Sequence, residues 1–169
     1  MLLMSLLAFP AMSQTKTYII SNDPDGGSLI YNGKITFSDL DKEPTFTWLK
    51  KGRDAYKPDE GQLKYLQQHL KDYSMVVFMG TWCDDSHELI PKLEQLLQMT
   101  GFPAASVTMY ATDHAKKTKG GEDKQYNITL VPTVIIIANG KEVGRITESV
   151  EKSIDADLAA IIRKQRGDR

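Results

Sequence analysis

The chain's one cysteine, Cys83, stands in the run GTWCDDSHELIP, and a thiolate is both a nucleophile and a metal ligand. An apolar stretch, MVVFM at 75–79, ends at Gly80 just before it, and Leu89, Leu93, Leu96 and Leu97 follow at helical spacing. Cys83 is therefore expected at a strand-to-helix junction. There the first N–H groups of the helix have no partner, and the helix dipole favours negative charge. Ser86, three residues on, is placed to turn its hydroxyl toward the sulfur. Asp84, Asp85 and Glu88 work the other way, because nearby carboxylates keep the proton on a thiol. The same letters have two further readings. Asp85 and Glu88 fit a capping box, which would leave Cys83 packed and inert beside Trp82. Cys83 and His87 lie four apart, on one helical face. With His114 arriving from the end of the next strand, they form a weak candidate set for zinc or copper.

The elements that must position these residues are legible around them. Leu63, Leu66, Leu70 and Tyr73 mark a helix from Asp59 onward, and MVVFM reads as a strand buried on both faces. SVTMYA at 106–111 is a second core strand, and VPTVIIIANGKEVGRI gives two more around an Asn139-Gly140 turn. Val150, Ile154, Leu158, Ile161 and Ile162 line a final helix, with Ser149 as its expected cap. The order α-β-α-β-(short α)-β-β-α implies an α/β protein, a mixed sheet with helices on both faces. Before it, SNDPDGG reads as a loop whose Asp23-x-Asp25-Gly26 faintly echoes a calcium site without the later ligands. Asn32-Gly33 predicts the turn of an N-terminal hairpin. Pro44 is expected at the first position of a short helix carrying Phe46, Trp48 and Leu49.

A chain of 169 residues, 41% hydrophobic and 25% charged, suits one globular domain. A net charge of −1 with no basic stripe argues against a nucleic-acid partner. The apolar run at 2–9 is too short to span a bilayer, which takes about 20 residues. Followed by Ala11-Met12-Ser13, it reads as a secretory signal over 1–13. An extension over 14–58 and a main domain over 59–169 complete the organisation. In an exported chain a lone cysteine cannot form an internal disulfide, so it is a free thiol or an intermolecular partner.

Trp82 directly before Cys83, Pro91 eight residues after it, and Val131-Pro132-Thr133 opening a core strand resemble, in type, order and spacing, the thioredoxin superfamily. The likeness is greatest to exported bacterial thioredoxin-like proteins with a single-cysteine WCxxS site. The resemblance implies a thioredoxin-like three-layer fold, here with an N-terminal β-hairpin extension. It also implies a kinked active-site helix at Pro91 and a cis peptide bond before Pro132, where a residue reading alone allows an ordinary trans proline opening a strand. By the same resemblance Cys83 is the catalytic thiol with Ser86 beside it. Trp82, Val131, Pro132 and Thr133 hold the client, and Asp84, Asp85 and Glu88 tune the thiol. The expected activity is that of a monothiol thiol-disulfide oxidoreductase or isomerase in the bacterial periplasm. It would work without a cofactor on a disulfide-bearing protein or a small-molecule thiol. Two departures matter. Ser86 cannot resolve a mixed disulfide as a second cysteine would, and the family's buried acid, six residues before the nucleophile, maps onto Val77. A different class of function keeps the fold for partner binding alone, with the hairpin and residues 46–48 shaping the surface.

Overall fold

A computed structural model describes residues 17–168; the expected signal over 1–13 lies outside them. Six strands form one sheet in the order β1-β2-β4-β3-β5-β6. They are β1 (Tyr18–Asn22), β2 (Leu29–Ile35), β3 (Ser74–Met79), β4 (Val107–Ala111), β5 (Thr133–Ala138) and β6 (Lys141–Thr147). The helices are α1 (Phe37–Asp41), α2 (Thr47–Ala55), α3 (Glu60–His69), α4 (Asp84–Thr100), α5 (Glu122–Gln125) and α6 (Ile154–Arg166). Strand β3 is central, parallel to β4 and antiparallel to β5.

The period of two along β3 divides the core. Met75, Val77 and Met79 enter a large cluster with Leu49 of α2, Leu66 of α3, Leu93 and Leu96 of α4, and Leu158 and Ile162 of α6. Val76 and Phe78 point to a smaller cluster with Cys83, Ile128, Val131 and Ile135. The two faces are unequally covered. Five helices supply residues to the first, whereas the second is closed by Tyr126, Ile128 and Val131 in the segment after the four-residue α5. Cys83 belongs to the thinner side, where a protein surface is one layer away.

The N-terminal hairpin exists, but its turn is not at Asn32-Gly33. The connection is the SNDPDGG loop, and Asn32 and Gly33 lie inside β2. An Asn-Gly turn needs both residues at positive φ; Gly33 alone has it, at 125°. A side chain on Gly33 would come within 2.7 Å of the Thr17 carbonyl oxygen. Asn32 instead reaches across to another loop, donating to the Lys117 carbonyl at 3.2 Å and accepting from the Lys119 N–H at 2.6 Å. Asn139 and Gly140, both at positive φ, do make the expected turn between β5 and β6.

Further boundaries shift for local reasons. Pro44 sits in a turn ahead of α2 rather than opening it, and α2 begins at Thr47. The last helix is capped by Ser153, whose Oγ accepts from the Ala156 N–H, so Val150 precedes the helix and Ser149 does not cap it. The extension is bonded into the sheet through β2, which pairs antiparallel with β4.

Candidate functional site

Cys83 is the N-cap residue of α4. The helix thus starts one residue after it, and the capping box expected at Asp85 and Glu88 does not form. Instead Asp84 and Asp85 occupy the first turn, while Glu88 pairs with Lys92. The Cys83 side chain makes no cap hydrogen bond, so the first-turn amides stay open to whatever the sulfur becomes. Cys83 is 9% exposed, and its thiol donates to the Val131 carbonyl oxygen at 3.4 Å. The Val131–Pro132 peptide bond is cis.

Ser86 is fully buried, and its Oγ accepts from the Gly80 N–H at 3.1 Å. That bond ties the end of β3 to the first turn of α4 rather than reaching the sulfur. Asp84, Asp85 and Glu88 are exposed, where water and salt screen their influence on the thiol. Trp82 donates through Nε1 to the Thr112 carbonyl at 2.9 Å. Its ring stacks on His114 at 4.2 Å, with the Lys116 ammonium 5.4 Å from the ring centroid. Val131 and Thr133 are buried, and Thr133 Oγ1 donates to the Leu130 carbonyl. The Pro132 carbonyl accepts from the Glu148 N–H at 2.7 Å. Val77, on β3, has no exposed surface.

The candidate metal set does not assemble. Cys83 faces Val131, His87 Nε2 lies 2.8 Å from the Thr81 carbonyl, and His114 Nε2 lies 3.0 Å from Asp23 Oδ1. Helical spacing put Cys83 and His87 on one face, but Cys83 is the cap, and its side chain departs from outside the helix.

Several positioning contacts gave no signal in the sequence. Thr81, fully buried, accepts from the Tyr31 N–H at 3.0 Å and donates to the Leu29 carbonyl at 2.7 Å. It thereby fastens the segment before Cys83 to β2. Along α4, three contacts from α2 follow at helical intervals. Trp48 stacks on His87 at 4.4 Å. Gly52 packs so closely that a Cβ there would lie 2.4 Å from Pro91 Cγ. Arg53 pairs at 2.7 Å with Glu94, a buried carboxylate, and also holds Asp41. Burial pushes the Glu94 carboxyl up from its ordinary range, with Arg53 opposing. Beside the first turn of α4, Trp48, Tyr56, His87 and Lys92 line an open cleft of about 630 Å³. Leu130, 37% exposed, puts an apolar side chain at the surface one residue before Val131.

The thioredoxin family model matches residues 60–164, more than half of the chain. Among solved structures, an HIV epitope scaffold is 13% identical, with a TM-score of 0.57 over 78% of this chain and 93% of the scaffold. A Pseudomonas aeruginosa protein of unknown function is 14% identical, with a TM-score of 0.53 over 79% of this chain and 83% of that one. The Fasciola hepatica thioredoxin is 22% identical, with a TM-score of 0.39 over 60% and 88% of the two chains. No curated protein matches the sequence. No described helix is long and apolar enough to cross a membrane.

Proposed function

This chain belongs to the thioredoxin family, and from that premise we propose that it is a monothiol thiol-disulfide exchange protein acting through Cys83. The observation that carries the proposal is the cap position. Cys83 itself caps α4, its side chain makes no cap hydrogen bond, and a thiolate formed there faces the first-turn N–H groups of the helix. The Cys83 thiolate attacks one sulfur of a client disulfide. A new S–S bond forms to Cys83, and the client's other sulfur leaves as a thiolate. Ser86 has no sulfur with which to reverse this, so an outside thiol or the client's own second cysteine releases the adduct. Trp82 and the Val131-Pro132 backbone flank the attacking sulfur, and Leu130 offers an apolar contact to the client. The chemistry suits isomerisation, trapping or deglutathionylation. Export to a bacterial periplasm is part of the same proposal and rests on the 1–13 pattern alone.

The test is intact mass after incubating the reduced full chain with oxidised glutathione or a disulfide-bearing peptide. One adduct per chain is expected, absent in Cys83→Ser and released by added thiol. The low exposure of Cys83 and its bond to Val131 favour a second reading, a thioredoxin fold kept for binding with an inert thiol. Failure to form any adduct would select that reading.

A further inference from the structure

The geometry points to a second site, independent of Cys83: a divalent transition-metal site formed by Asp23, Asp25 and His114. The three side chains come from two segments far apart in sequence. Asp23 and Asp25 lie in the β1–β2 loop, and His114 lies in the loop after β4. Each offers one ligand atom, and these atoms all lie within 4.8 Å of one another. Ligands at about 2.0–2.2 Å from a zinc-sized ion stand roughly 3–4 Å apart, so a small closure brings the trio to bonding distance. The Asp23–His114 pair, at 3.0 Å, is already there.

Two of the ligands are held in place before any ion arrives. The Asp23 side chain is only 7% exposed. Its Oδ1 accepts from the Asp25 N–H at 3.0 Å, while Oδ2 has no hydrogen-bond partner among the described residues. The His114 ring lies flat on Trp82, and Asn32 clamps the strand of the hairpin to the His114 loop through Lys117 and Lys119. A metal at Nε2 leaves Nδ1 to carry the ring proton.

The donor set decides the ion. Calcium takes six to eight oxygen ligands, and this trio supplies an imidazole in their midst. One nitrogen and two carboxylates suit zinc and its first-row neighbours, with solvent completing the shell. The faint calcium echo in Asp23-x-Asp25-Gly26 is thus redirected by a histidine that the sequence places ninety residues away. Because His114 stacks on Trp82, an ion there also touches the rim of the Cys83 site.

The experiment uses the untagged full chain carrying Cys83→Ser, so that the thiol takes no part and the outcome is separate from the exchange chemistry. Zinc chloride is titrated by calorimetry, and cobalt(II) is followed by tryptophan fluorescence. One zinc per chain is expected. Asp25→Asn and His114→Ala should each weaken it by at least the roughly tenfold that even outer-shell partners cost. Cobalt should quench a fluorescence component that Trp82→Phe removes while zinc affinity persists. Asp25 is exposed, so its variant folds even if others do not. No binding up to millimolar zinc, or equal affinity in Asp25→Asn and His114→Ala, would overturn the site.

Discussion

Two tryptophan–histidine stacks serve the Cys83 segment, and they do different work. Trp48 on His87 and Trp82 on His114 have nearly the same geometry, with ring centroids 4.4 and 4.2 Å apart. The first is one point of a seam. Behind it come the Gly52–Pro91 contact and the Arg53–Glu94 pair, and Tyr56 at the end of α2 donates to Asp155 of α6 at 2.9 Å. The second stands at a loop, with a His114 side chain 39% exposed and a single indole bond to Thr112 beneath it. The same pair of rings fastens an extension in one place and forms a surface in the other. What distinguishes them is how many neighbours share the strain of moving.

Breaking the seam should have the largest effect. Arg53→Ala leaves the buried Glu94 carboxylate without its cation, and such unpaired charges cost about 3 kcal/mol or more. Urea unfolding should show that loss, with Glu94→Gln in the same chain recovering part of it. Gly52→Ala gains helix propensity but drives a methyl into Pro91, and overpacking of this kind costs about 2 kcal/mol. If Gly52→Ala is neutral or stabilising, α2 is not seated on α4 as described.

The acid limb sharpens the comparison further. Burial alone would raise the Asp155 carboxyl, but bonds from Ser153, Tyr56 and the Asp59 N–H hold it below the ordinary range. A depressed carboxylate stabilises the fold above its unfolded value, about 3.9, and loses that contribution as pH falls through the lower folded value. Asp155→Asn should therefore cost about 1–3 kcal/mol at neutral pH and flatten the fall in stability below about pH 4. On the rim, Trp82→Phe should cost only about 1 kcal/mol, the worth of its bond to Thr112. It should nevertheless slow adduct formation at Cys83, which Gly52→Ala should leave closer to normal per folded molecule.

The fold was readable because its core strands and helices obey simple periods. Met75 to Met79 alternate between two clusters, and Leu89, Leu93, Leu96 and Leu97 all turn inward. What escaped the sequence was decided by tertiary contact. Asn32-Gly33 has turn chemistry, yet pairing of β2 with β1 and β4 keeps it in a strand, and Asn32 spends its amide on a distant loop. Asp85 and Glu88 have the spacing of a cap, yet the chain enters α4 two residues sooner. Thr81 and Gly52 carry no motif, and Trp48, expected on a short helix, shows its stacking partner only once α2 is docked. Cys83 stood out as the lone cysteine at an expected helix start, while the roles of Trp82 and Pro132 came from a resemblance; the residues alone also allowed an inert thiol and, more weakly, a Cys/His metal set.

The central claim is that Cys83 works from within the folded chain, at a helix cap, despite its 9% exposure. The most direct test compares the rate of Cys83 alkylation by iodoacetamide in the native protein with that of the urea-unfolded chain at the same pH. The account predicts a native rate within about tenfold of the unfolded one, since a cysteine at an open helix end is of the reactive kind. A native rate suppressed in proportion to the equilibrium for global unfolding would show that the sulfur is a core atom, and would contradict it.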